Sequence, residues 1–285
     1  MKLWAVAMVR NEADIIEAFV RHNLAFLDGL AVLDHRSTDG TRGILQRLKA
    51  EGLPLILVES RETGFFQGSE ITRICSEAFR RTDADFIFAL DADEFIRTAS
   101  RHAAEDALAG IPPGAHGRHR WYSYVPEAFD RPFGPHCLRL RLREERVARY
   151  KLLIRRGFVE TGDYMVTEGN HWISDLRTGQ AAPHEHLAPE RLGLAHCPVR
   201  SREQLESKVR LGFQALLEAG PLNGAMAYHW RDLYEDFRLG VPMPESRLRV
   251  IAANYTVPRA DWLPEERLDL VQDPVLLCQV SANRG

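Results

Sequence analysis

The sequence predicts an α/β fold, a mostly parallel central sheet with helices on both faces, and two observations predict it. Short apolar runs of strand length alternate four times with helix-spaced segments over about the first 95 residues, the rhythm of repeated β-α units. The fourth run, Phe86 to Leu90, is apolar throughout, as a parallel strand covered on both faces must be, and it ends abruptly in Asp91, Asp93 and Glu94. In open α/β sheets ligands bind beyond the carboxyl ends of the strands, so these acids lie where a site belongs.

Taken in order, Leu3 to Val9 is rich in β-formers and reads as a strand. Asn11 to Ala25 switches to helical spacing, with Ile15, Ile16, Phe19, Val20 and Leu24 on one stripe. Leu30 to Leu33 is the second strand, ending at Asp34 and the polar turn Arg36-Ser37-Thr38-Asp39-Gly40. Ser37, Thr38 and Asp39 are each competent to cap a helix that begins near Thr41 and buries Ile44, Leu45 and Leu48. Leu55 to Val58 is the third strand, ending at Glu59. Gly64 to Gly68 reads as a loop and Ser69 as the cap of a helix to about Arg81, with Ile71, Ile74, Cys75, Ala78 and Phe79 inward.

Beyond Asp93 the pattern loosens. Ala103 to Ala109 reads as a helix and Ile111 to Gly114 as a turn. Arg118 to Val125, Cys137 to Leu142, Lys151 to Ile154 and Phe158 to Val159 read as short strands that continue the sheet in mixed direction. A helix spans Arg202 to Ala219, with Ser201 and Gln204 as a capping box and Gly220-Pro221 as its stop. The tail is helical from Ala225 to about Leu239. The expected organisation is one domain over 1–220, its nucleotide half ending near 97 and its acceptor half covering 98–220, followed by a helical C-terminal extension over 221–285.

Of the 285 residues, 45% are apolar and 27% charged, enough for a substantial core. A net charge of -3 provides no global basic field, so neither nucleic acid nor an anionic membrane surface is an expected partner. The cysteines Cys75, Cys137, Cys197 and Cys278 are scattered with no Cys-x-x-Cys pair, which argues for free thiols in a reducing compartment. Met1 to Val9 is too short for a signal peptide, and no later run approaches the roughly 20 apolar residues of a membrane span. A cytoplasmic protein is the expectation.

Side chains two apart on an extended segment point the same way, so Asp91 and Asp93 can face one hard cation, with oxygen ligands suited to Mg2+ or Mn2+. Like-charge repulsion disfavours such a cluster unless a cation offsets it. His184-Glu185-His186 with Cys197 matches no closed zinc pattern.

Five segments carry a resemblance. They are Val9-Arg10-Asn11-Glu12 after the first strand; Leu33-Asp34-His35-Arg36-Ser37-Thr38-Asp39-Gly40-Thr41 after the second; Leu90-Asp91-Ala92-Asp93-Glu94-Phe95; Glu168-Gly169-Asn170-His171; and His196-Cys197-Pro198-Val199-Arg200-Ser201 with Lys208 in the following helix. In this order the chain, from Leu3 to about Gly212, resembles a glycosyltransferase of the GT-A fold, closest to the family 2-like group. One departure is His35-Arg36, where many members carry Asp-Gly.

The resemblance implies a metal-dependent transfer of a sugar from a UDP- or GDP-sugar to a glycan or other hydroxyl acceptor, with Mn2+ or Mg2+ as cofactor. It implies Asp93 as metal ligand, Asp91 as a ribose contact or a ligand through water, and His196 as a second ligand, with His171 in reserve. Asn11, Glu12 and Asp34 would meet the nucleoside, although Asp34 could equally cap a turn. Arg200 and Lys208, with the helix start at Ser201, would meet the diphosphate. An inverting enzyme needs a carboxylate base; Glu168 is the candidate and Glu94 its rival. Trp121, Tyr122, Tyr124 and Trp172 could stack on an acceptor sugar. A nucleotidyltransferase would want a Gly-rich loop after the first strand, which Val9-Arg10-Asn11-Glu12 does not offer, and a non-catalytic binding module on the same fold is the remaining alternative. A dinucleotide-binding dehydrogenase lacks its Gly-x-Gly-x-x-Gly.

Overall fold

Four parallel strands form the first half of the sheet. They are β1 (Leu3–Val9), β2 (Gly29–Asp34), β3 (Leu55–Glu59) and β4 (Phe86–Leu90), in the order β3-β2-β1-β4. This computed structural model describes residues 1–60, 66–218, 228–255 and 257–281. Alternate residues of each strand feed opposite layers. Leu3, Ala5, Leu30, Val32, Phe86 and Phe88 pack with helices α1 (Ile16–Asn23) and α2 (Thr41–Ala50), whereas Val6, Ala31, Leu33, Ile87 and Ala89 pack with α3 (Gln67–Arg81). Every residue of β4 is buried, as its unbroken apolar run requires.

Several boundaries differ from expectation for local reasons. Helix α1 begins at Ile16, not near Asn11, because Asn11 has φ 56° and serves as a latch: its N–H donates to Ser37 Oγ at 3.0 Å and its Oδ1 accepts from Thr38 N–H at 2.7 Å. Of the three cap candidates before α2, Asp39 does the work, its Oδ1 accepting from the N–H and hydroxyl of Thr41. Helix α3 starts two residues before Ser69, whose hydroxyl donates to the Phe66 carbonyl inside the first turn. Gly68 therefore belongs to the helix, while Gly64 lies outside the described residues.

After β4 come β5 (Glu94–Arg97), α4 (Arg101–Ala109), β6 (His116–Val125), β7 (Leu140–Leu142) and β8 (Tyr150–Arg155). The sheet does continue in mixed direction: β8 is antiparallel to β4, β6 to β8, and β7 to β6. The segment expected as a strand from Cys137 is first a 3-10 turn, Pro135–Leu138. Phe158 and Val159 are buried but sit in a turn, not a strand; their apolar character serves packing.

The chain then forms the hairpin β9 (Tyr164–Val166) and β10 (Ile173–Asp175), then β11 (His184–His186) and β12 (Gly193–His196). Strand β12 lies between β5 and β6, antiparallel to the first and parallel to the second. Helices α5 (Arg202–Glu218), α6 (Tyr228–Arg238) and α7 (Glu245–Ala253) share a separate core with Val125 and Leu142. Ser201 Oγ accepts from Gln204 N–H as a capping box requires, but Gln204 Oε1 returns to the N–H of Arg200, not of Ser201. The Gly220-Pro221 stop and Ala225 lie outside the described residues. The tail beyond them is not helical alone: β13 (Leu270–Gln272) joins the sheet antiparallel to β7. All four cysteines are free thiols, and no helix among the described residues is long and apolar enough to cross a membrane.

Candidate functional site

The carboxyl ends of β1, β2 and β4 open into a cavity of about 760 Å³. Asn11, Glu12, Asp91 and Asp93 line it from the sheet, and Glu168 and His171 from the segment joining β9 to β10. His196 of β12, Ser201, and Lys208 of α5 complete the wall. The register explains how residues a hundred positions apart meet: β12 places His196 opposite Glu94 on one side and Ser123 on the other.

Asp91 and Asp93 do not face the cavity as a bare pair. Asp91 Oδ1 accepts from Gln67 Nε2 at 3.0 Å and Asn170 Nδ2 at 3.2 Å, and its Oδ2 receives Lys151 Nζ at 2.5 Å. Three donors leave it one of roughly four acceptor positions, so direct ligation of a cation by Asp91 would compete with these partners. Asp93 is 2% exposed and pairs through Oδ2 with Lys208 Nζ, while its Oδ1 lies 3.6 Å from His196 Nε2. Burial would raise the Asp93 carboxyl, but Lys208, His196 and Arg200 outweigh it and hold it well below the ordinary carboxylate range.

Glu94 does not line the cavity. It is fully buried, its Oε2 accepts the Asp91 N–H at 2.9 Å, and its Oε1 lies 3.2 Å from Lys151 Nζ. Burial pushes its carboxyl up to about 8 against the pull of Lys151. One ammonium thus serves two acids, and the raised Glu94 carboxyl is largely neutral near pH 7. Sequence reasoning missed Lys151; the signal was a lysine inside the apolar run Lys151-Leu152-Leu153-Ile154, where a buried charge demands partners.

Glu168 Oε1 accepts from Gly68 N–H at 3.0 Å in the first turn of α3. Gly68 is needed there, since a Cβ would lie 2.5 Å from the Val166 carbonyl. Glu168 Oε2 is buried without a hydrogen-bond partner among the described residues, and burial raises the carboxyl despite the amide. His171 Nδ1 donates to the Tyr150 carbonyl at 2.8 Å, which leaves Nε2 as the bare nitrogen, and burial lowers the ring to about 4. His196 is likewise lowered to about 4 by burial and stacks on Trp121, with ring centroids 4.5 Å apart.

Two nominated contacts are elsewhere. Asp34 does not line the cavity; its Oδ1 accepts from Ser37 N–H at 3.0 Å, the turn-capping role, and His35 and Asp39 form the wall instead. Arg200 is 2% exposed and locked to Glu12 at 2.5 Å and Asp14 at 2.6 Å, so its guanidinium braces the loop after β1 beneath the wall. Of the four aromatics, Trp121 lines the cavity, Tyr124 is buried and Trp172 stacks against the Arg118 guanidinium at 3.5 Å. Trp230 and Tyr255, which lacked any local signal, do line it and are joined by a 3.1 Å hydrogen bond from Trp230 Nε1 to the Tyr255 hydroxyl.

The donor set suits a hard divalent cation. Asp93 is held ionised and His196 neutral, the states that ligate, and two bonds of about 2.1 Å can span their 3.6 Å separation. Among the described residues no cluster of three or more His, Cys, Asp and Glu is placed to hold a metal. The rest of a coordination shell would fall to substrate phosphates and water, as is usual for Mg2+.

No family model matches the chain, and no curated protein matches it. Solved structures do. Staphylococcus aureus TarS is 15% identical with a TM-score of 0.42 over 91% of this chain and 50% of that one, so this chain spans half the length of that relative. A mannosyltransferase from Pyrobaculum calidifontis, solved with GDP-Man and Mn2+, is 17% identical with a TM-score of 0.42 over 91% and 88%. Glucosyl-3-phosphoglycerate synthase from Mycobacterium tuberculosis, solved with Mn2+ and UDP, is 20% identical with a TM-score of 0.28 over 42% and 43%.

Proposed function

We propose that this protein is a GT-A glycosyltransferase that moves a sugar from a UDP- or GDP-sugar to a hydroxyl of a glycan or small acceptor, with inversion and with Mn2+ or Mg2+ bound. The observation that carries the reading is the facing pair of ionised Asp93 and neutral His196 at the tip of the parallel sheet, with the Lys208 ammonium beside them. The bound cation supplies Lewis-acid neutralisation of charge developing on the leaving diphosphate.

The chain's own residues do the rest. Lys208 neutralises diphosphate oxygens from α5, and Asn11 and Glu12 shape the nucleoside end beyond β1. Asp91, braced by Gln67, Asn170 and Lys151, offers its remaining acceptor position to a ribose or sugar hydroxyl. Glu168 takes the acceptor proton at Oε2; its raised carboxyl brings it toward the working pH, where a base is most effective. Trp121, Trp230 and Tyr255 give an acceptor ring apolar surface and exclude water.

Thermal-shift and calorimetric titrations of UDP, GDP and their sugars, with Mn2+ and with chelator, test the reading. Binding of at least one nucleotide in Mn2+ is expected to raise the melting temperature. If no nucleotide binds with the cation present, the donor site is misassigned.

A further inference from the structure

Two ammonium groups already sit within the acid cluster, and they are not equivalent. Lys151 Nζ is on the sheet, is 1% exposed, pairs with both Asp91 and Glu94, and lies 5.2 Å from the Trp121 ring centroid. It has nowhere to go. Lys208 is on helix α5 and is 21% exposed; both ammonium groups border the cavity, but only this one has room to move. Its one ion-pair partner among the described residues is Asp93.

The Asp93 carboxylate is thereby divided. Its Oδ2 carries Lys208 and lies 3.9 Å from the fixed Arg200 guanidinium, and its Oδ1 faces His196, which is 4% exposed and whose Nδ1 has no hydrogen-bond partner among the described residues. A divalent cation at Oδ1 and Nε2 would lie a few ångströms from the ammonium on the same carboxylate and be repelled by it. A diphosphate changes this, because its oxygens offer the flexible lysine another anion of higher charge.

We propose that Lys208 is an exchangeable counter-ion: it holds Asp93 in the free protein and passes to the diphosphate when the nucleotide enters, so that cation binding at Asp93 and His196 is conditional on the nucleotide. Lys151 is the fixed counter-ion and keeps Asp91 and Glu94 out of the cation's shell. The inference rests on the proposed donor site for its second half, whereas the competition between Lys208 and the cation is a property of the free protein. Linkage then requires the nucleotide to tighten Mn2+ binding by the same factor as Mn2+ tightens that of the nucleotide.

The experiment is a Mn2+ titration followed by electron paramagnetic resonance, without and with UDP or GDP, on the wild type, Lys208→Met, Lys208→Arg and the double variant Lys208→Met/Asp93→Asn. Lys208→Met is expected to bind Mn2+ alone more tightly by roughly 5–150-fold, the usual range for coupled sites, and to bind nucleotide in Mn2+ more weakly. Lys208→Arg keeps the charge and should bind Mn2+ alone as weakly as the wild type, and adding Asp93→Asn should cancel the gain. Unchanged or weaker Mn2+ binding in Lys208→Met, with circular dichroism showing an intact fold, overturns the exchange. If neither nucleotide binds the wild type in Mn2+, the donor reading fails, yet the Mn2+ arm still decides the counter-ion.

Discussion

Replacing Lys151 by methionine removes the ammonium shared by Asp91 and Glu94 while keeping most of the buried stem, and the structure fixes how the loss should depend on pH. Breaking a buried ion pair by deleting one partner typically costs about 3–5 kcal/mol. The low end applies near neutral pH. Asp91 keeps Gln67 and Asn170 as donors and is 31% exposed, and Glu94, pushed up to about 8, is already neutral.

The sign follows from Glu94. Its folded-state carboxyl is raised, so its contribution to stability is fully present below the unfolded value and is lost as pH rises through about 8. In the wild type that loss ends near 8, because Glu94 then ionises against Lys151; in the variant it continues, at about 1.36 kcal/mol per pH unit. Urea unfolding followed by circular dichroism should therefore give a deficit of about 3 kcal/mol at about pH 6.5 and roughly 5 kcal/mol at about pH 9.5. A deficit below about 1 kcal/mol, or one of equal size at both pH values, would refute the charge assignment.

Glu168→Gln keeps the shape but cannot accept a proton, so turnover should fall by about 10²–10⁴-fold with nucleotide affinity near wild type; retained anomeric configuration in the product would remove the need for this base. His116 and His119 are lowered to about 3 by burial, and His171 and His196 to about 4. The unfolded chain binds protons that the fold refuses once pH drops below about 6.5, so these four, with the lowered His22, His136 and His186, destabilise the protein progressively against the opposite trend of the raised Glu12, Glu94, Glu145 and Glu168. A melting temperature that stays level or rises from about pH 7 to about pH 5 would contradict this. Gly212→Ala should destabilise the protein although alanine favours a helix by about 0.8–1.0 kcal/mol, because a Cβ there would lie 2.6 Å from the Trp230 ring. A more stable alanine variant would show that Trp230 yields freely.

The parallel half of the sheet was legible because its central strands β2 and β4 are buried throughout and its helices are amphipathic, so local pattern and tertiary role agree. The acid tip was legible for the same reason: β4 has no polar residue until Asp91. Which acid does what was not. Asp91 and Asp93 look alike in sequence, and they part company only through Lys151, Gln67 and Lys208, which arrive from elements 24 to 115 residues away. Arg200 and Asp34 fit their motifs equally well, but burial against Glu12 and Asp14 and a turn at Ser37 remove them from the cavity wall. Trp230 and Tyr255 were invisible because only the packing of α5 through α7 on one another brings them to it.

The location of His196 on a strand, not in a loop, has a consequence for how this protein can vary. Strand β12 is hydrogen-bonded on both sides, to β5 and to β6, and side chains along it alternate between faces. A slip of one residue would send His196 to the opposite face, and the ladder admits no intermediate setting. Tolerance at this point is all or none. The connections that deliver the strand are under no such rule: closing a longer loop costs only about 0.6 kcal/mol per doubling of its length. Insertions and deletions in the loop between β11 and β12 can therefore be absorbed while the seat of His196 opposite Glu94 stays fixed.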